Sequence, residues 1–263
     1  MRTDEARLAL YDSELRMNPP LPDAGYRIER SDRIVRLVGP TAAAHDNCII
    51  YSRLDAAGAD AAIAGEIGYF GAAGRAFEWK LHDHDPPADL AARLQRRGFV
   101  PQTPETVIVR DLAERPPAPP PESLIDIRGV GGLPGMADFV AVQDAVWGDD
   151  HGWLGDALAR GHAADPTQIE ILVAYAEGNP VATSYMRLHR GTCFASLWGA
   201  STLPAWQRRG IYSALTEHHA AAALAAGKTL ITVDANENSR PVLARLGFRP
   251  LVRTQGYIWS PPA

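Results

Sequence analysis

Apolar and polar positions change period repeatedly along this chain, and the changes outline its elements. In the C-terminal half, alternating or continuous apolar runs predict strands over 124–128, 169–176, 181–188, 192–201, 230–234 and 253–259. Phe139, Val142 and Val146 fall at helical spacing within 137–147, and a second, shorter helix is expected over 153–160. An Ala-rich helix over 211–226 is closed by Gly227, and a short helix over 239–246 runs into Gly247-Phe248. The glycine-rich 129–135 reads as a loop, and Gly178-Asn179-Pro180 as a turn. The N-terminal half is less regular. Strands are expected over 33–38, 77–81 and 106–109, and 61–67 lies in a helix. Asp85 before Pro86 reads as a helix start, with an N-cap side chain and a proline whose missing N–H costs nothing there. Leu90 and Leu94 share one face of the helix that follows, and Gly98-Phe99 ends it.

Arg115 to Pro121 reads Arg-Pro-Pro-Ala-Pro-Pro-Pro. Such a run continues neither a helix nor a sheet interior and favours a stiff, extended spacer. The expected organisation is therefore a domain over 1–114, a Pro-rich linker over 115–122 and a domain over 123–263. A weak internal repeat supports two related halves. Leu94-Gln95-Arg96-Arg97-Gly98-Phe99 mirrors Leu243-Ala244-Arg245-Leu246-Gly247-Phe248, each followed by a strand.

Composition adds mainly exclusions. The 263 residues are 46% hydrophobic and 22% charged, an ordinary globular balance, with a net charge of −5. The chain as a whole should attract neither nucleic acid nor an anionic membrane, so a polyanionic ligand needs a local basic pocket. Cys48 and Cys193 make no disulfide framework and read as small buried hydrophobes in a reducing compartment. Met1 to Glu5 lacks the apolar core of a signal peptide, and no apolar run approaches the ~20 residues that span a bilayer. A cytoplasmic protein is expected.

Several chemical patterns dissolve on inspection. Gly129-Val130-Gly131-Gly132-Leu133-Pro134-Gly135 fails the dinucleotide fingerprint because its third glycine position is Pro134. No P-loop and no nucleophile elbow is present. His82-Asp83-His84-Asp85 puts two imidazoles on one face of an extended segment but has no third ligand at a convincing spacing, so no metal is expected. His218-His219 reads as helix surface. Asp149-Asp150-His151 lies in a loop between two helices, where binding residues often sit.

One segment stands out. After a strand come Leu203-Pro204-Ala205-Trp206-Gln207-Arg208-Arg209-Gly210-Ile211-Tyr212 and then a helix. A turn with two arginines and a glycine at a helix start gathers unpaired backbone N–H groups, the positive helix end and two cations. That is a site for an anion such as a pyrophosphate.

Gln207-Arg208-Arg209-Gly210-Ile211-Tyr212 resembles the Q/R-x-x-G-x-G/A pattern of the GNAT acyltransferase superfamily, which uses acetyl-CoA. Leu203-Pro204 before it, the helix after it, Asn236 and the Leu246-Gly247-Phe248 ending fall at that family's spacings, and the resemblance covers 125–259 closely. It implies a mixed α+β fold of two GNAT-like domains, each a mostly antiparallel sheet flanked by helices. The N-terminal domain would lack the cofactor motif, and the C-terminal one would carry a splayed parallel strand pair. It implies acetyl-CoA bound by Leu203, Gln207, Arg208, Arg209, Gly210, Ile211, Tyr212, Asn236 and Ser239. The expected reaction is acetyl transfer to a primary amine by direct attack; the alternative is a non-catalytic acyl-CoA-binding or scaffold protein. The acceptor would be a small-molecule amine or a peptide, and the chain a monomer or homodimer. Two departures stand out. Tyr212 replaces the motif's last small residue, and Leu243 stands where many members have a tyrosine acid. No Glu occurs on 194–201, so candidate bases are Asp149, Asp150, His151 and Tyr257.

Overall fold

The computed structural model describes residues 2–22, 25–118, 125–131 and 133–262. The chain folds as two compact units that interleave in sequence. The first comprises residues 1–107, 234–237 and 250–263, and the second 108–233 and 238–249. The units therefore do not divide at the Pro-rich run. A buried ion pair shows why. Arg110 is fully buried and makes two parallel bonds to Glu217, at 2.9 and 3.0 Å. Its guanidinium also donates to the carbonyls of Arg115 and Pro116, at 3.0 and 2.8 Å, and the Ala118 N–H donates to Glu217 at 2.7 Å. The described start of the expected spacer is thus pinned to the second unit; residues 119–122 lie outside the described ones.

Elements are numbered in chain order. The first unit begins with α1 (Asp4–Tyr11), capped by the Thr3 hydroxyl, which accepts from Ala6 N–H at 3.1 Å. A π-helical stretch carries it on to Met17. Then come β1 (Arg27–Arg30), β2 (Ile34–Val38), β3 (Asn47–Ser52), α2 (Ala59–Ala72), β4 (Phe77–His82), α3 (Leu90–Arg96), β5 (Val100–Pro101) and β6 (Glu105–Asp111), whose end passes into the second unit. Strands β1, β2 and β3 pair antiparallel, and β3 pairs parallel with β4. The last strand, β12 (Arg249–Trp259), pairs antiparallel with β4. Ile49, Ile63, Phe70, Phe77, Trp79, Leu90, Leu94 and Tyr257 form the core, with Phe70 and Phe77 stacked at 4.3 Å.

Strands β3 and β4 pair only at Cys48–Glu78 and Ile49–Trp79. The next carbonyl on β3, that of Ile50, accepts from Arg16 Nε at 3.2 Å. Arg16 is itself 2% exposed and ion-paired to Asp85 at 2.6 Å and Asp12 at 2.7 Å. The N-terminal segment therefore fills the wedge where these strands part. This corrects the reading of Asp85 as a helix cap. Its carboxylate is spent on Arg16 and on the His82 N–H (2.9 Å), and α3 starts only at Leu90. His82 meets the Tyr11 hydroxyl at 3.3 Å while His84 meets Asp12 at 2.7 Å, so the two imidazoles serve different partners.

The second unit holds β7 (Ile125–Gly129), α4 (Leu133–Trp147), α5 (Gly152–Ala164), β8 (Ile169–Ala176), β9 (Asn179–Leu188), β10 (Phe194–Thr202), α6 (Ile211–Ala225), β11 (Leu230–Ala235) and α7 (Arg240–Arg245). The sheet order is β7-β8-β9-β10-β11, antiparallel except for the parallel β10–β11 pair. Helix α4 starts inside the expected 129–135 loop, because Pro134 falls in its first turn, where no N–H is needed. Strand β8 is apolar from Ile171 to Ala176 because both its faces are covered. Ile169, Ile171 and Val173 pack with Phe139 and Leu158 from α4 and α5, while Leu172, Ala174 and Ala176 pack with Ile211 and Leu215 from α6.

His219 is a second correction: it is 1% exposed, not helix surface. Its Nε2 meets Ser184 Oγ at 2.8 Å and its Nδ1 meets Glu170 at 2.5 Å, so α6 docks on the sheet through polar groups as well as apolar ones. The repeated helix endings do share one geometry. Gly98 and Gly247 have φ of 86° and 91°, and the N–H of Phe99 and Phe248 returns to Leu94 and Leu243 at 3.2 and 3.0 Å. In each unit a helix connects two parallel strands that pair briefly. Cys48 and Cys193 form no disulfide and are half-buried. No helix among the described residues is long and apolar enough to cross a membrane.

Candidate active site

Strands β10 and β11 pair at Phe194–Leu230, Ala195–Ile231 and Ser196–Thr232, and no further. Beyond that point β10 runs on to Thr202 and β11 to Ala235 with their facing edges unpaired. A bulge follows at once. On the other side of β10, Trp198 opposes Tyr185 and Ser201 opposes Thr183, so Gly199 and Ala200 together face Ser184. Gly199 has φ of 58°, and a Cβ there would lie 2.8 Å from the Tyr185 ring, so both backbone and packing demand glycine. The extra residue bends β10 away from β11.

The expected anion turn begins where that bent strand ends. Leu203 N–H donates to Val181 at 2.9 Å, and Pro204–Trp206 make one 3₁₀ turn. Gln207 folds back, its amide donating to the Thr202 carbonyl at 3.1 Å. Arg208 and Gly210 both take left-handed backbone, at φ of 61° and 80°, on either side of Arg209. Such a sequence of conformations turns successive N–H groups toward one point. A non-glycine residue held at positive φ carries strain of a kind that collects at functional sites. Gly210 is the N-cap of α6; no side chain caps that helix, and its first turn has no acidic residue. Among the described residues, none accepts a hydrogen bond from the N–H groups of Arg208 to Tyr212. Ile211 is 2% exposed and anchors the turn in the core, so it offers only its amide. Arg209 lies over the Trp206 ring at 4.6 Å, which preorganises its charge. Burial pushes the Tyr212 hydroxyl up to about 12, so it stays neutral. Five amides without an acceptor, a helix N-terminus and two guanidiniums with no carboxylate paired to them among the described residues fit a pyrophosphate.

Leu203 and Gln207 to Tyr212 thus come together in one turn. Ser239, at the start of α7 in the same unit, has no side-chain cap bond to its helix. Asn236 belongs to the first unit. So does Tyr257, which is 3% exposed within that unit's core, its hydroxyl raised by burial and donating to Gln255 at 2.9 Å. It is packing, not a base.

The loop between α4 and α5 is more ordered than its sequence suggests. Asp150 accepts from Gly152 N–H at 2.8 Å at the start of α5, and Asp149 presents its carbonyl to His151 Nδ1 at 2.8 Å. Asp144, on α4, accepts from His151 N–H at 2.7 Å and lies 3.2 Å from Nδ1. Two oxygens at Nδ1 place the imidazole proton there and leave the Nε2 lone pair free to accept. Trp147, the last residue of α4, ties this loop to β10 by donating its indole N–H to Ser201 at 2.9 Å. Leu243 is fully buried, so the position of the family's tyrosine is part of the core.

Asp144, Trp147, Gly199 and Ser201 escape a reading of the sequence, and so does Gln143. Gln143 alone leaves a trace. It stands four residues after Phe139 on the buried stripe of α4, a polar residue at an apolar position.

Residues 137–248 match the acetyltransferase (GNAT) family model. No curated protein matches the chain. Among solved structures, it is similar to a GCN5-related N-acetyltransferase from Kribbella flavida, with TM-score 0.71 and 15% identity over 99% of this chain and 95% of that one. It is also similar to a tandem GNAT protein from the clavulanic acid biosynthesis pathway, with TM-score 0.66 and 12% identity over 99% and 95%. A GCN5-related N-acetyltransferase from Sphaerobacter thermophilus gives 0.59 and 15%, over 89% and 83%. At these identities the likeness establishes the fold. The family match falls on the very segment that builds the splayed strands and the anion turn, so residues 137–248 are similar to the acetyltransferase (GNAT) family there.

Proposed function

We propose that the protein transfers an acetyl group from acetyl-CoA to a primary amine by direct attack. The observation that carries this reading is the uncapped α6 N-terminus, with its left-handed Arg208 and Gly210, at the end of a strand that has parted from its neighbour. The amides of Arg208 to Tyr212 and the two guanidiniums hold the pyrophosphate. The unpaired edge of β10 up to Leu203 orients the pantetheine arm by strand-like hydrogen bonding. Positioning and backbone N–H groups supply most of the acceleration. His151, its Nδ1 proton fixed by Asp149 and Asp144, takes a proton from the acceptor's ammonium at Nε2, freeing the amine lone pair that attacks the thioester carbonyl. With Leu243 in place of a tyrosine, the departing thiolate takes its proton from water. The acceptor is a small-molecule amine or a peptide, and the chain acts as a monomer or homodimer.

Calorimetry with acetyl-CoA and thiol release across an amine library test the reading. Submillimolar binding and turnover with at least one amine class are expected. His151→Gln should lower kcat by about 10²- to 10⁴-fold with little change in acetyl-CoA affinity. No binding at millimolar acetyl-CoA refutes the proposal. Buried Leu243 favours one second reading, a non-catalytic acyl-CoA-binding protein; binding without turnover on any amine class would select it.

A further inference from the structure

The buried amide of Gln143 has no part in the roles given so far, yet its bonds converge on the bulge. Gln143 is 1% exposed. Its Nε2 donates to the Gly199 carbonyl at 2.5 Å and to Thr183 Oγ1 at 2.9 Å. Its Oε1 accepts from the Ser201 hydroxyl at 3.0 Å, and Ser201 in turn accepts from the Trp147 indole at 2.9 Å. The direction of every bond follows from the ends of this chain. An indole only donates and a carbonyl only accepts, so the serine must donate to Oε1 and Nε2 must face Gly199. The amide has one orientation, and both its hydrogens and its oxygen are used.

Gly199 and Ala200 are the bulge itself, the residues where β10 leaves β11. In a planar trans peptide the carbonyl of Gly199 and the N–H of Ala200 point in opposite directions. Gripping that carbonyl from the α4 side therefore aims the Ala200 N–H away from α4. A left-handed glycine in a bulge is locally soft; a buried, fully satisfied amide holds it in one state.

We infer that Gln143 is a positioning residue for acetyl transfer: by holding the Gly199 carbonyl it orients the Gly199–Ala200 peptide, whose N–H polarises the thioester carbonyl in the gap between β10 and β11. The inference rests on the acetyl-CoA reading above. Gln143 touches no substrate and acts through the peptide it grips. Gln143→Glu keeps the size and the acceptor for Ser201 but removes both donors and turns an oxygen toward the Gly199 carbonyl. Ser201→Ala is the milder variant: it leaves Gln143 in place and releases its orientation.

The readout needs no acceptor. Acetyl-CoA labelled with ¹³C at the thioester carbonyl is bound to each protein, and its infrared carbonyl band is compared with the band in solution. Wild type should shift the band to lower frequency, Gln143→Glu should return most of that shift, and Ser201→Ala should return part of it. Affinity for unacetylated CoA should stay within about threefold for both, since the pyrophosphate turn is untouched. With an accepted amine, Gln143→Glu should lower kcat about 10- to 100-fold at nearly constant KM, the scale of a slightly misplaced group. A purely structural role would weaken CoA binding and kcat together and leave the band of the bound ligand unchanged. If both variants bind acetyl-CoA with the wild-type band and kcat, the inference is overturned while the functional reading stands. If Gln143→Glu does not fold, a wild-type band in Ser201→Ala overturns it equally. If the wild-type protein binds no acetyl-CoA, the functional reading falls and this inference with it.

Discussion

Replacing Gly210 by aspartate should separate binding from folding, because opposing terms nearly cancel in stability but not in binding. Gly210 is the N-cap of α6 at φ of 80°, and a Cβ built on it meets nothing within 4 Å. A side chain at left-handed backbone costs about 1–2 kcal/mol, and aspartate tolerates that region better than most. Against this, α6 has no capping side chain, and an N-cap aspartate contributes about 0.5–2 kcal/mol. The net change in stability is within about 1 kcal/mol, a melting shift of only ~2–4 °C for a chain of this size. Binding has no such compensation. A carboxylate about 4 Å from one phosphate charge costs about 4 kcal/mol at an effective dielectric constant of 20, and salt at an exposed site roughly halves that. A loss of about 2 kcal/mol is a ~30-fold weakening. The carboxylate also competes for the amides a phosphate would use, which raises the loss to about 100-fold. Gly210→Ala, with the strain but neither charge nor acceptor, should weaken binding far less. Thermal melts report the first quantity and calorimetry with acetyl-CoA the second, at low and high salt. Affinity within threefold of wild type for Gly210→Asp would show that the phosphate site lies elsewhere.

Three further outcomes follow from buried groups. Glu217→Gln leaves the fully buried Arg110 guanidinium with an uncompensated charge and should cost about 3–5 kcal/mol in urea unfolding; less than 1 kcal/mol would contradict the role given to the pair. Burial, reinforced by Arg187 and Lys228, pushes the His189 imidazole from 6.5 down to about 3. Below its ordinary value the unfolded chain binds the proton and the folded chain does not, so stability falls as pH drops from about 6.5 toward 3. Melting temperatures between pH 7 and pH 4 should therefore fall less steeply for His189→Gln, and an identical slope would refute the assignment. Leu243→Tyr restores the residue type common in the family, but the site is fully buried. It should destabilise by about 1–3 kcal/mol through overpacking and leave kcat no higher than wild type; a raised kcat in a thiol-release assay would overturn this.

Local order was legible in the sequence because local physics writes it. The apolar run that predicted 169–176 as a strand, the glycines that end α3, α6 and α7, and the turn before α6 each depend on neighbours within a few positions. Leu203 and Gln207 to Tyr212 needed only the start of a helix to form one turn. By itself, the sequence determined the mixed α+β composition and the glycine-bearing turn that starts α6.

The tertiary structure decided what each polar residue does. Arg110 and Glu217 are 107 positions apart, and Arg16 and Asp85 are 69 apart, so no window of sequence shows that the first pair draws the start of the Pro-rich run into the second unit. The same holds for Asp85, which looks like a cap until Arg16 claims it. His219 looks like surface until Ser184 and Glu170 close over it, and Tyr257 looks like a base until its core is seen. Gln143 is the sharpest case. Its place on an apolar stripe marks it as anomalous, but only folding brings Thr183, Gly199 and Ser201 to its amide. A hydrophobic pattern reports which face is buried, because burial is non-directional and nearly additive along the chain. A hydrogen bond requires a specific partner at a specific angle, and that partner is chosen by the fold.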